Sequence, residues 1–220
     1  MASRTKSKRR SPLMESAAEE ALRRRGTELL GLILVGLGAL AWVMLWTYSP
    51  DDPSLFSATD AEPRNALGLV GASLADPLHR ALGWAAYGVP AALFVWGLRL
   101  VFHAGETRAL SRTILAPVAL VAAAAFAATH VPLAGWPHPY GLGGLIGDAA
   151  LGALLPAMPL DLALALPIAT IGLAVAFALT AAFALGVTWA EIAAAARFMG
   201  QGSVLIYAGA HRLGGRAARG

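Results

Sequence analysis

The sequence contains no cysteine. Disulfides, thiolate metal sites and cysteine nucleophiles are therefore excluded. Charge is also scarce. Only 14% of the 220 residues are Asp, Glu, Lys or Arg, against about a quarter in a soluble domain. Its two lysines, Lys6 and Lys8, both lie in the polar N-terminal tail. No Gly-x-x-x-x-Gly-Lys-(Ser/Thr) phosphate loop can therefore be drawn through the rest of the chain. The long apolar runs also lack serine, which removes the nucleophile that an intramembrane serine protease needs.

What remains is apolar residues in blocks. The chain is 57% hydrophobic, and several uncharged runs reach the ~20 residues that a bilayer crossing requires. The pattern predicts an all-α membrane protein with four spans, at about 29–47, 79–102, 113–133 and 162–188. The spans read as two tandem hairpins. No room is left for a separate soluble catalytic domain. The first apolar run continues through Trp42, Val43, Met44, Leu45 and Trp46, past its one Ala-x-Ala pattern at Ala39–Ala41. That favours an uncleaved anchor over a signal peptide. Residues 1–27 form a basic tail, expected to be partly disordered, with a short helix over 15–28. Residues 189–220 read as a juxtamembrane segment.

Two further apolar stretches, Leu67–Leu78 and Gly141–Pro159, are too broken or too polar to count as spans. They are expected as short interfacial helices on the outer side. Fifteen of the seventeen basic residues fall on the side that holds both termini and the 103–112 connection. Only Arg64 and Arg80 fall on the other. By the positive-inside rule, both termini are expected in the cytoplasm. The basic tail is read as an orientation and lipid-binding signal before a DNA contact.

The polar candidates are few. Asp76 precedes His79 and Arg80 at helical spacing, which suits a local ion pair, on a segment expected to lie close to water. Asp148 is likewise expected on a segment close to water. His79, His130 and His138 fall on the outer side, but no pair sits at i, i+4 with a carboxylate at ligand spacing, so no metal or cofactor is expected. The acidic outer loop Pro50–Asn65 carries Asp51, Asp52, Leu55 and Phe56, which are the candidate partner-contact residues. Gly68-Leu69-Val70-Gly71 and Gly144-Leu145-Ile146-Gly147 occupy matching places in the two hairpins. Their glycines allow close helix approach. Small-residue faces, Ala116, Ala119, Ala123 and Ala127 on the third span and Ala174, Ala178 and Ala182 on the fourth, suggest packing within the bundle or self-association.

At these residues the chain resembles a known family. Ser49-Pro50-Asp51-Asp52-Pro53 after the first span is similar to the start of the periplasmic loop of FtsK/SpoIIIE DNA translocases. So are Asn65-x-x-Gly68-x-x-Gly71-Ala72-x-x-Ala75-Asp76 before the second span and Gly143-Gly144-Leu145-Ile146-Gly147 before the fourth. The resemblance covers about residues 25–213. It implies a non-enzymatic membrane anchor and assembly module, hexameric, placed at the division septum of the bacterial inner membrane among other divisome proteins. It also implies a role in cell division and chromosome segregation, with DNA contacted only through an ATP-driven motor that these residues do not contain. Where the family's linker should begin, the sequence stops, so the expectation is either a fragment or a separately encoded anchor. The alternative reading is a small transporter or channel component built from two hairpin repeats. Against it, a few threonines (Thr129, Thr170, Thr180) are the only groups able to line a path.

Overall fold

A computed structural model describes residues 12–104, 109–132, 134–194 and 197–198. The tail 1–11 and most of the juxtamembrane segment beyond 194 lie outside them. The described residues form six α-helices: α1 Pro12–Trp46, α2 Gly68–Leu82, α3 Gly88–Val101, α4 Ala109–Ala128, α5 Gly144–Ala157 and α6 Leu162–Ala184. A 3-10 segment, Gly83–Tyr87, joins α2 to α3. Among the described residues there is no β-strand, and the one extended pairing is an isolated bridge between Ser54 and Ser57.

Among the described residues, four stretches are long and apolar enough to cross a membrane: Glu19–Trp46, Gly68–Val101, Ser111–Ala128 and Leu162–Ala184. Their outward faces are continuous hydrocarbon, with Leu32, Ile33 and Leu40 on α1 and Ile171, Val175 and Leu179 on α6 all exposed. Such faces suit lipid, where backbone groups are satisfied within each helix. The chain is a multi-pass membrane protein.

Helix boundaries follow local chemistry. The expected leading helix 15–28 is continuous with the first span, since nothing in Arg23–Leu30 breaks the α1 ladder. The helix expected over Leu67–Leu78 runs on through Pro77 to Leu82, and the break before α3 falls at Gly83. Gly83 takes φ +56°, a conformation costly for any residue with a Cβ. A Cβ there would also meet the backbone N of Gly144 at 2.6 Å. Pro90 falls in the first turn of α3, where no N–H is needed. Helix α4 stops at Ala128, five residues before the expected end, because Thr129 and the approaching Pro132 disfavour another turn. Helix α6 begins with Asp161 accepting from the Leu164 N–H at 3.1 Å. It ends in a Schellman motif at Gly186 (φ +71°), with Gly186 N–H to Phe183 C=O and Val187 N–H to Ala182 C=O.

Helix α1 packs along α3, and α4 along α6. The first contact is unusually close. A Cβ on Gly97 would meet the Gly31 carbonyl and the Val35 nitrogen at 2.7 Å each, and one on Gly38 would meet the Pro90 carbonyl at 3.1 Å. Glycines let the two backbones approach, which is how helices associate in lipid. Helices α2 and α5 pack on one another, and α5 also packs on α4, where Gly147 lies against the Ala124 backbone. Of the small-residue faces, Ala119 is buried within the bundle, whereas Ala178 faces outward.

The two ends of the bundle differ. At one, the loops after α1 and α4 meet α2; this is the loop end. At the other, the end of α3 meets both the early part of α1 and the chain after α6. There His103 lies 3.8 Å from Glu28. Trp96 donates to the Ala184 carbonyl at 2.8 Å. Arg99 donates twice to the Glu191 carboxylate, at 3.0 and 2.8 Å. Thr188 and Glu191 form a capping box, the Thr188 N–H reaching the Glu191 carboxylate at 2.7 Å and the Glu191 N–H reaching the Thr188 hydroxyl at 3.3 Å. A helical stretch starts at Trp189. The Thr188 N–H, then Arg99, holds the Glu191 carboxyl below its usual range.

Candidate functional site

The buried polar side chains of the described residues are Asp52, Asn65, Asp76 and His79, and all four lie at the loop end. They arise where α1 runs out. The last carbonyls of a helix have no partner within it. Asn65 supplies one, its Nδ2 donating to the Met44 carbonyl at 2.8 Å. Its Oδ1 accepts from the Leu67 N–H at 3.1 Å. The Thr47 hydroxyl accepts from the Ala66 N–H at 3.0 Å. Asp52 turns inward and accepts from the Arg64 and Asn65 N–H groups, both at 2.9 Å. These bonds close the 47–67 segment back onto the end of α1. Gly71 lies directly beneath, where a side chain would overlap the Asn65 amide.

Asp76 on α2 is the second hub. Its carboxylate accepts from the Tyr48 hydroxyl at 2.9 Å, from Arg80 Nε at 2.7 Å, and from the Ser54 hydroxyl in a short hydrogen bond. Ser54 also accepts from the Phe56 N–H at 3.2 Å and pairs with Ser57 through both backbone groups, at 2.9 and 3.3 Å. The turn Ser54–Ser57 is thus fixed onto α2, and its tip presents Leu55 and Phe56, 75% and 66% exposed.

A stack of rings joins this loop to the one after α4. Tyr48 stacks on His79 at 4.6 Å between centroids, and His138 stacks on Tyr140 at 4.9 Å. His79 and Tyr140 approach through Nδ1 and the hydroxyl at 3.2 Å. Trp136 donates to the Tyr140 carbonyl at 2.6 Å. Burial, then the Asp76 carboxylate, pushes the Tyr48 phenol up, so it stays a neutral donor. Burial also pushes the Tyr140 phenol up. Burial, then the Arg80 guanidinium, pulls the His138 imidazole down.

The sequence candidates divide accordingly. Asp51 is exposed and lies 3.8 Å from Arg64, itself exposed. Leu55 and Phe56 are exposed at the turn. Asp52 is not a surface residue: it is 3% exposed, because two backbone amides hold its carboxylate inside the loop. Asp76 forms the expected ion pair with Arg80, but it is buried rather than near water. Asp148 accepts from the Gly141 N–H at 2.8 Å and shapes the entry to α5. Gly68 takes φ +61° in open space, while Gly144, at φ +64°, lies against Ala81 and Gly83. Of the histidines, His79 and His138 come together at 4.8 Å, whereas His130 rests against Phe126 and Thr129. Among the described residues no three His, Asp or Glu side chains are arranged to hold a metal ion. Tyr48, Ser54 and Tyr140 are not among the site candidates read from the sequence. They lie 28, 22 and 61 residues from their partners, and no local spacing signals such pairs.

A family model described as the 4TM region of DNA translocase FtsK/SpoIIIE matches residues 23–197. A DNA translocase FtsK of Bradyrhizobium diazoefficiens is 40% identical over 134 residues, covering 61% of this chain and 16% of that protein. One from Caulobacter vibrioides is 34% identical over 160 residues, covering 71% and 19%. One from Brucella suis is 40% identical over 132 residues, covering 59% and 15%. The matched region spans under a fifth of the length of these relatives. No solved structure matches significantly.

Proposed function

The chain belongs to the family of the 4TM region of FtsK/SpoIIIE DNA translocases, and from that membership we propose that it is the membrane anchor and assembly module that places such a translocase at the division septum of the bacterial inner membrane. The observation that carries this reading is the extent of the match, which includes three of the apolar crossings, all but the first four residues of the other, and the whole loop end. Chromosome segregation and DNA movement belong to the reading only through a motor, and ATP hydrolysis is not assigned to these residues. The anchor associates with further copies of itself, as a hexamer, and with other divisome membrane proteins.

Both termini are proposed to face the cytoplasm. The distribution of basic residues supports this, and the meeting of α3 with Glu28 and Glu191 at one end of the bundle agrees with an even number of crossings. A transporter or channel is less well supported. Thr170 and Thr180 donate to the carbonyls of Leu166 and Ala176 in their own helix, leaving little for a polar path.

A fluorescent fusion of the chain in a dividing bacterium tests the septal role. Concentration at midcell is expected. Uniform membrane fluorescence, with division partners present, overturns the reading. Single cysteines at Ser57, Ala109 and Ala217 test topology with an impermeant thiol reagent added outside whole cells. Labelling is expected at Ser57 alone, and labelling at Ala217 refutes it. Single-molecule photobleaching counts test self-association, which a purely monomeric distribution removes.

A further inference from the structure

The exposed pair Leu55 and Phe56 has no role in the core, yet the chain fixes its position with care. The Ser54–Ser57 bridge closes the turn. The Ser54 hydroxyl ties it to the buried Asp76, which is itself held by Tyr48 and Arg80. Asp52 and Asn65 close the loop behind it. The backbone that carries these two large apolar side chains has already lost freedom that binding would otherwise have to remove. Buried aromatic and aliphatic anchors of this kind dominate recognition when a pocket receives them.

The charge of the same loop identifies what such a pocket looks like. Asp51, Asp60 and Glu62 are exposed, against one exposed basic residue, Arg64, which is paired with Asp51. An anionic bilayer surface repels an acidic loop. A protein surface with basic residues around an apolar pocket attracts it, and rim charges of this kind speed encounter and fix orientation. Resting on the anchor reading above, we propose that the Leu55–Phe56 turn is the docking tip for a partner protein that offers an apolar pocket bordered by lysine or arginine. Ser54 and Asp76 are positioning residues for that tip. Asp52 keeps the loop closed and does not touch the partner.

The test places a photo-crosslinking benzoylphenylalanine at Phe56 in the 220-residue chain, in dividing cells, with Thr59 of the same loop as the comparison site. The expected result is one protein adduct at Phe56, weak or absent at Thr59. The partner peptide recovered from it should carry basic residues beside apolar ones. Leu55→Ser should abolish the adduct. The pair Asp60→Lys and Glu62→Lys should lower it several-fold, as should Ser54→Ala, which keeps the Leu55 side chain but releases the turn from Asp76. Because Leu55, Asp60 and Glu62 are exposed, the amount of membrane protein should not change. An adduct with phospholipid alone, an adduct with a second copy of this chain, or a protein adduct indifferent to charge reversal each overturns the proposal. Midcell fluorescence in the same cells separates the two readings. Retained midcell signal without the adduct removes the docking tip alone, whereas dispersed signal removes the anchor reading beneath it.

Discussion

Replacing Asp76 with alanine should be among the most damaging single changes at the loop end. The carboxylate accepts three hydrogen bonds, from Tyr48, Ser54 and Arg80. Breaking a buried charged pair costs about 3–5 kcal/mol. The Arg80 side chain is 33% exposed, so it recovers water when the carboxylate is lost, and its share falls toward the ~1 kcal/mol of a surface pair. The two hydroxyls are half-buried, and a hydrogen bond to a charged acceptor contributes about 1.5–3 kcal/mol. Taking the lower end for each half-buried hydroxyl, the sum for Asp76→Ala is then about 4 kcal/mol. Tyr48→Phe should cost about 1.5 kcal/mol by the same reasoning. The decisive quantity is their coupling. If the hydroxyl acts through Asp76, the double variant should be less destabilised than the sum by about 1–1.5 kcal/mol. Reversible unfolding in mixed detergent micelles, followed by tryptophan fluorescence, gives all four corners of the cycle. Effects that add to within about 0.5 kcal/mol would refute the hub, because independent sites add that closely. Asp51→Ala is the control, expected within about 0.5 kcal/mol of the parent because its pair with Arg64 is fully at the surface.

Gly97→Leu should separate α1 from α3 at a cost of at least about 3 kcal/mol, the upper end for overpacking, since the obstruction is backbone. Gly36→Leu, with nothing within 4 Å of its Cβ, should be neutral, and monodispersity in detergent compares the two. Glu191→Gln should cost under about 1 kcal/mol, because the carboxylate is 48% exposed, and limited proteolysis near Thr188 should then quicken. The His138 imidazole is pulled below its ordinary value of 6.5 by burial, so the unfolded chain binds the proton more readily. Its stabilising contribution is therefore present above that value and is lost as pH falls below it. Unfolding measured between about pH 7 and pH 5 should show this loss, and His138→Phe should flatten it. Asp76, Arg80, His79, Tyr48 and Tyr140 surround the ring, so only its own share should disappear.

The number of crossings was readable because a bilayer imposes a length of uncharged chain, and that length is visible without any partner. Ends of helices were less readable. Ala128 and Ala184 close their helices through Thr129 and Gly186, and a hydropathy run passes through both without a mark. In the site, the Asp76–Arg80 pair was readable because four residues on a helix fix a distance. Asp51 and Asp52 were not separable in the same way. They are adjacent carboxylates in one turn, and only the loop's return at Arg64 and Asn65 decides which of them is drawn inside. Gly31 and Gly38 also carry a signal readable in the sequence. Their seven-residue spacing places them on one face of α1, where α3 comes closest.

The distribution of buried polar groups separates two tasks within the one bundle. Close backbone contact holds α1 to α3 through Gly31, Gly38 and Gly97. Threonines within α6 spend their hydroxyls on their own helix. Crossing the membrane thus rests on apolar length and packing. The loop end is held in another way, by Asp52, Asn65 and Asp76, whose bonds join segments distant in sequence. A group that is costly to bury stays buried only where its partners are fixed, so this knot specifies one arrangement of the loop. Loss of Asp76 should therefore free the Ser54–Ser57 turn while leaving the α1–α3 contact intact. Loss of Gly97 should do the reverse, disturbing the crossings first and the loop only as a consequence.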